Sequence, residues 1–376
     1  MIEELSNNSS RNQNTSGDER LRKVSAIKTL LNRPELGALG GAILVFVFFG
    51  IVAGDSGMFS VLGIVNFMEV SALLGIIAIA AAMLMISGEF DLSVGSMIGF
   101  AGVCIAIPPT YFGWPMWYTI IFTFEIAILV GLFNGFLTVK TGLPSFIVTL
   151  AMLFILRGLT VAITRQVSGR TQIPGLKKFV EGDWLSTIFF NDVFEGLFRW
   201  FGEIGWLATR PDGDPVIAGL PIPVIFFFVL LIITTWILSK TKFGNWIFAS
   251  GGDAVGARNA GVPVSFVKIS LFIGTACAAT TYAVITVLDA GSADTARGQL
   301  KEFEAIIASV VGGCLLTGGY GSTIGAALGA IIFGTVSMGI YYTGVDSDLY
   351  KTFLGAMVLI AVIFNNFIRK RVTAAK

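Results

Sequence analysis

"MISGEFDLSVGSMIG", residues 85–99, sets two carboxylates, Glu89 and Asp91, among glycines and serines between two uncharged runs. Upstream lies "SALLGIIAIAAAMLMI" and downstream "SMIGFAGVCIAIP". Apolar flanks of this kind enter or cross a membrane, where a carboxylate facing lipid costs roughly 2.5–3.5 kcal/mol even on permissive insertion scales. The two acids therefore mark a break between helices that faces protein, a polar pathway or the cytoplasm. Ser93, two residues after Asp91, is placed to cap the helix that follows.

Working outward, the same character recurs along the chain. Of 376 residues, 55% are hydrophobic and only 13% charged, with a mean hydropathy of +0.82. Globular soluble domains carry about 25% charged residues, and one soluble core has no room for so many apolar runs. The fold class is all-α, a polytopic bundle of about ten spans. The runs fall near 37–54, 69–87, 93–107, 117–139, 145–163, 221–239, 267–289, 305–317, 322–342 and 351–368. The second, third and eighth are short enough to read as tilted or broken.

Histidine is absent, which excludes His-based triads, His zinc sites and His proton relays. Cys104, Cys277 and Cys314 each stand alone in an apolar run and read as small packing residues, with no metal site or cofactor implied. A net charge of +1 without a basic stripe leaves no footprint for nucleic acid. Residues 1–33 are polar, contain no secretory h-region, and end in "LRKVSAIKTLLN", a short amphipathic helix for the lipid surface.

Lys and Arg orient the spans. Arg20, Arg22, Lys23, Lys28 and Arg33 place the leading tail inside, and Lys140, Lys240, Lys242, Arg258 and the basic tail 369–376 then fall on that side. Arg297, Lys301 and Lys351 dissent, each with acids as neighbours. The domain reading is a transmembrane unit over 34–368 with both termini cytoplasmic. Within it, 164–220 is an insertion on the outer side, periplasmic in a bacterial inner membrane, and 240–264 a cytoplasmic loop. The insertion reads as one or two amphipathic helices with Trp184, Trp200 and Trp206 as interfacial anchors.

Glycines at a spacing of four, Gly95 and Gly99, then Gly321, Gly325 and Gly329, suit close helix packing. "SGEFDLSVGSMIG" and "TGGYGSTIGAALG" echo one another as a weak internal repeat of two broken helices. Asn134, Glu125 and Arg157 are further polar residues inside apolar runs, expected to face protein or water; Asn134 joins Glu89, Asp91 and Ser93 as a pathway or break residue. In the loop at 240–264, Gly251–Gly252 reads as a turn, Asp253 as an N-cap and Gly261 as the stop of a short helix. No GxxxxGK[ST] occurs, so the chain does not itself hydrolyse ATP through a P-loop.

Four stretches in order resemble the permease subunit of bacterial ABC importers for monosaccharides, of the ribose/xylose/galactose/autoinducer-2 type. They are "SGEFDLSVGS", "NGFLTVKTGLPSFIVTLAMLFILRGL", "GNWIFASGGDAVGARNAGVPV" and "EFEAIIASVVGGCLLTGGYGSTIGAALGAIIFG". The resemblance implies a non-catalytic, multi-pass subunit of the bacterial inner membrane. Its implied partners are a second permease copy, an ABC ATPase subunit, a periplasmic sugar-binding protein and membrane lipid; its cargo is a small neutral sugar or polyol. It also implies that Gly251, Gly252, Asp253, Ala257, Arg258 and Gly261 belong to the ATPase-coupling loop. Glu89 departs from the family pattern, as do "GGDAVGAR" and the long insertion. An ion- or proton-coupled secondary transporter is the rival reading, with Glu89, Asp91 and Glu125 as its coupling acids; a membrane enzyme lacks any nucleophile–base set.

Overall fold

The structure, a computed structural model, describes residues 34–344 and scattered positions from 346 to 359. The leading tail, the tenth run and the basic tail lie largely or wholly outside the described residues. Fourteen helices are used below: α1 Pro34–Val52, α2 Val61–Ile86, α3 Val94–Phe112, α4 Met116–Thr141, α5 Ser145–Ser168, α6 Lys177–Val180, α7 Trp184–Phe190, α8 Glu195–Glu203, α9 Ile222–Lys240, α10 Lys242–Gly252, α11 Ala254–Asn259, α12 Val264–Ala290, α13 Lys301–Val311 and α14 Thr323–Tyr342. Eight of them, α1–α5, α9, α12 and α14, are long and apolar enough to cross a membrane.

The second run is not broken. It begins at Val61, eight residues earlier than its apolar core suggests, because Ser60 caps the helix by accepting from Gly63 N–H at 3.2 Å. The resulting helix carries Asn66 and Glu69 in its first turns. The third run likewise extends to Phe112, with Pro108 and Pro109 tolerated in its last turns.

Helix α2 is the centre of the bundle, largely buried by α9, α12, α13 and α14. Its buried face is small and aliphatic, including Ala78, Ile79 and Ala82. Helix α12 crosses α4 at glycines: a Cβ at Gly131 would lie 2.6 Å from Ile273 Cα, and one at Gly135 2.8 Å from Ile269 Cα. Without a hydrophobic drive between helices in lipid, such backbone proximity supplies the packing.

Two ends can be told apart. At one, a two-stranded antiparallel ribbon joins β1 (Gln172–Pro174) to β2 (Ser292–Asp294), pairing Ile173 with Ala293. The segment 169–221 lies at this end and holds three short helices, α6 to α8, where the sequence suggests one or two. It is tied to the start of α4 by Trp117 N–H donating to Asp183 Oδ2 at 2.9 Å. Trp184, Trp200 and Trp206 are all exposed. The opposite end gathers the 87–93 break, the start of α5, and α10–α11. The chain between α13 and α14, residues 312–322, leaves helical geometry and reaches this same end.

Candidate functional site

At that end three segments distant in sequence meet backbone to backbone. Gly319 N–H donates to Ile86 O, the last carbonyl of α2, at 2.8 Å. Gly251 lies against both: a Cβ there would stand 1.9 Å from Ile86 O and 2.7 Å from Gly319 N. Gly318 backs onto Gly88 in the same way, its Cβ position 2.7 Å from Gly88 Cα and 2.9 Å from Gly251 O. Gly318 and Gly319 take φ of +78° and +72°, a region that penalises any side chain. Only glycine permits this junction.

Gly251–Gly252 is therefore not the turn that the dipeptide suggests. Helix α10 runs through both residues, and the turn comes at Asp253. The reason is the contact: Gly251 is there for proximity to Ile86 and Gly319, not for a left-handed backbone. Asp253 caps α11 by accepting from Val255 N–H and Gly256 N–H, both at 3.0 Å. Gly261 ends it with φ +85°, donating its N–H to Arg258 O at 3.0 Å while Val262 N–H reaches Ala257 O at 3.0 Å. Ala257 is buried, whereas Gly252, Asp253, Val255 and Arg258 point outward. The α10–α11 pair thus has one face on the bundle and one free face.

The break at 87–93 is held from several helices. Phe90 N–H donates to Ser145 Oγ and Leu92 N–H to Thr149 Oγ1, both at 3.0 Å, from the first turn of α5. Asp91 is 7% exposed; its Oδ1 accepts from Ser93 N–H at 2.9 Å and Ser93 Oγ at 2.6 Å, and its Oδ2 from Thr275 Oγ1 of α12 at 2.6 Å. Ser93 occupies the N-cap position but its side chain caps nothing: the hydroxyl donates to Asp91 and its oxygen accepts from another helix instead of from α3. Asn134 of α4 donates Nδ2 to Ser93 Oγ at 3.0 Å. Glu89 forms an ion pair with Lys268 of α12, beside a polar cavity of about 280 Å³ that Arg258 also lines.

The remaining predicted residues go elsewhere. Gly325 and Gly329 seat α14 on the end of α13, their Cβ positions 2.0 Å from Gly312 O and 1.9 Å from Ala308 O; Gly321 lies against Cys314. Gly95 and Gly99 face the segment 295–302 that leads into α13, not a long neighbouring helix. Glu125 is exposed on α4, touching no ion-pair partner among the described residues. The contacts of Ser145, Thr149, Thr275 and Gly318 escape a reading by motif, because nothing in their own neighbourhoods points to partners 55 to 230 residues away.

The architecture is a helical bundle with eight helices long and apolar enough to cross a membrane, two helix breaks, and an external helix pair seated on both. The profile of the family described as "Branched-chain amino acid transport system / permease component" matches residues 63–362, and the chain belongs to that family. It is 30% identical over 363 residues to the xylose transport system permease protein XylH of Haemophilus influenzae, covering 88% of this chain and 96% of that one. The Escherichia coli (strain K12) XylH is 29% identical over 88% of this chain and 91% of its own. The autoinducer 2 import system permease protein LsrD of Klebsiella pneumoniae is 26% identical over 77% of this chain and 79% of its own. No solved structure matches.

Proposed function

We propose that this permease forms the pathway of an ATP-driven importer for a monosaccharide or a related polyol, energised by a separate ATPase subunit at the α10–α11 end. The substrate class follows the relatives, two of which are xylose transport system permeases. In this reading the broken crossing through α13 and the run at 351–368 complete ten spans. Both termini then lie in the cytoplasm of a bacterial inner membrane, and 164–220 faces the periplasm, where a sugar-binding protein delivers the cargo. A second copy of the chain completes the pathway.

The observation that carries this reading is the position of α10–α11. One face holds Gly251 against both helix breaks, and the other leaves Gly252, Val255 and Arg258 exposed. A push on the free face is transmitted through these backbone contacts to the end of α2, the 87–93 break and the 312–322 chain together. Glu89 and Asp91 are engaged by Lys268, Ser93 and Thr275, which speaks against their service as proton-coupling acids.

Gly252 is the clean test, because a Cβ there meets nothing within 4 Å. Gly252→Trp is expected to insert normally and keep its thermal stability, yet to lose copurification with the ATPase and ATP-driven sugar uptake. ATPase association and uptake at the unmodified level would refute the docking role of this face.

A further inference from the structure

The polar cavity of about 280 Å³ at the α10–α11 end is built from parts distant in sequence. Glu89 of the first break, Thr138 of α4, the 142–144 link into α5, Arg258 of α11, and Ser265 and Lys268 of α12 wall it. Its volume falls just under the roughly 300–1,000 Å³ of drug-sized ligand sites, which suits a small polar group.

The charges on this wall do not balance. Glu89 and Lys268 neutralise one another, both side chains being largely buried. Arg258 is exposed, and no carboxylate pairs with it among the described residues. Its planar guanidinium carries five N–H donors in a fork that matches phosphate oxygens. The Lys268 ammonium has three, one of them spent on Glu89. Lys140, in the last turn of α4 between lining positions 139 and 142, adds a further exposed cation. Helices α5 and α12 both begin at the wall, behind Pro144 and Pro263, and neither has a side-chain cap. Their N-terminal ends reinforce a positive field that the side chains already set. A neutral sugar would leave the excess cation unmatched.

The surroundings are apolar. Leu143 lines the cavity and is itself exposed. Phe136 of α4, Phe146 and Ile147 of α5 and Phe266 of α12 are exposed too, each within three positions of a lining residue. Such flanks favour acyl chains over a free ion, and basic pockets between membrane helices are a recurrent form of anionic headgroup site. We infer that this cavity binds the phosphate of an anionic phospholipid, with Arg258 and Lys268 on the headgroup oxygens and the acyl chains along the exposed ends of α4 and α5. A bound headgroup joins α11 to the starts of α5 and α12, beside the face that the importer reading gives to the ATPase. The inference goes beyond that reading and takes from it only the leaflet.

The test measures lipid retained by the purified full-length permease, by native mass spectrometry, in detergent carrying phosphatidylglycerol or, as a control, phosphatidylcholine. The unmodified protein is expected to retain phosphatidylglycerol saturably and to release phosphatidylcholine. Arg258→Gln is expected to weaken retention about fivefold, the worth of one basic residue at an anionic lipid surface. Glu89→Gln is expected to strengthen it by a similar factor, because it removes a carboxylate from the wall and frees Lys268. Lys242→Gln, an exposed cation at the same end but off the cavity, is expected to change nothing. Equal retention of the two lipids, or equal losses in Arg258→Gln and Lys242→Gln, overturns the site. A thermal shift with inorganic phosphate and none with phosphatidylglycerol overturns the lipid assignment. None of these readouts depends on ATP-driven uptake, so failure of this site and failure of the importer reading are told apart.

Discussion

Between Ile86 and Val94 the chain draws on side chains of another helix for two of its backbone N–H groups, whereas between Val311 and Thr323 the N–H groups run to backbone carbonyls among the described residues. In the first break Ser145 and Thr149 of α5 accept the free N–H groups of Phe90 and Leu92, while Thr275 of α12 steadies Asp91. In the second, Gly319 N–H goes to Ile86 O, Leu315 N–H to Tyr320 O at 3.1 Å, and Cys314 N–H to Ser309 O at 3.0 Å. Four glycines there, 313, 318, 319 and 321, have positive φ. Irregular backbone at membrane depth persists only where its polar groups are paired within the protein. One break meets that demand with chemistry, the other with shape, and the two touch at Gly88 and Gly318. The similar look of "SGEFDLSVGSMIG" and "TGGYGSTIGAALG" conceals this division.

The contrast implies different sensitivities. The largest effect is expected at the second break from Gly318→Val. A β-branched residue at φ +78° adds more than about 2 kcal/mol of backbone strain, and its Cβ lies 2.7 Å from Gly88 Cα. Loss of monodisperse protein after detergent extraction is the readout. At the first break Asp91→Ala strands Ser93 N–H, while Thr275 Oγ1 keeps Phe272 O as an acceptor at 2.9 Å, at a cost of roughly 2–3 kcal/mol; a thermal unfolding series checks it. Asp91→Asn keeps an acceptor and the shape, so a smaller shift of about 1–2 kcal/mol is expected, together with reduced uptake. An equal loss from Asn and Ala would assign the break to the charge itself.

Ser322→Ala removes the cap of α14, whose Oγ accepts from Gly325 N–H at 2.9 Å, and is expected to cost about 1 kcal/mol. The smallest effect belongs to Glu89→Gln. Its pair with Lys268 borders a polar cavity, so less than about 1 kcal/mol is expected, with near-normal uptake. A Glu89 variant as damaging as Asp91→Ala would erase the distinction between the two acids.

The apolar runs made most of the crossing helices legible in the sequence, and the Asp253 cap and Gly261 stop were legible for the same local reason. Each depends on residues within a few positions of itself. The start of α2 was hidden because Asn66 and Glu69 dilute the hydropathy of its first turns. The role of Gly251 was hidden more deeply. A glycine pair reads as a turn when only its neighbours are considered, and its real cause is the approach of two backbones 165 and 68 positions away. The ribbon of β1 and β2 has three residues in each strand, too few for alternation to register. Asp91 was visible as an anomaly, while the hydroxyls that hold it were ordinary residues of apolar helices.

Gly251 and Gly252 are adjacent, yet a methyl group at the first collides with α2 and the 312–322 chain, and at the second it meets open space. Sugar taken up per ATP hydrolysed, measured for Gly251→Ala and Gly252→Ala in the same reconstituted importer, separates contact from proximity. The expected result is a several-fold fall in that ratio for Gly251→Ala, with ATPase still bound, and an unmodified ratio for Gly252→Ala. Unmodified ratios for both would mean that the contact of α10 with the two breaks carries no part of the coupling.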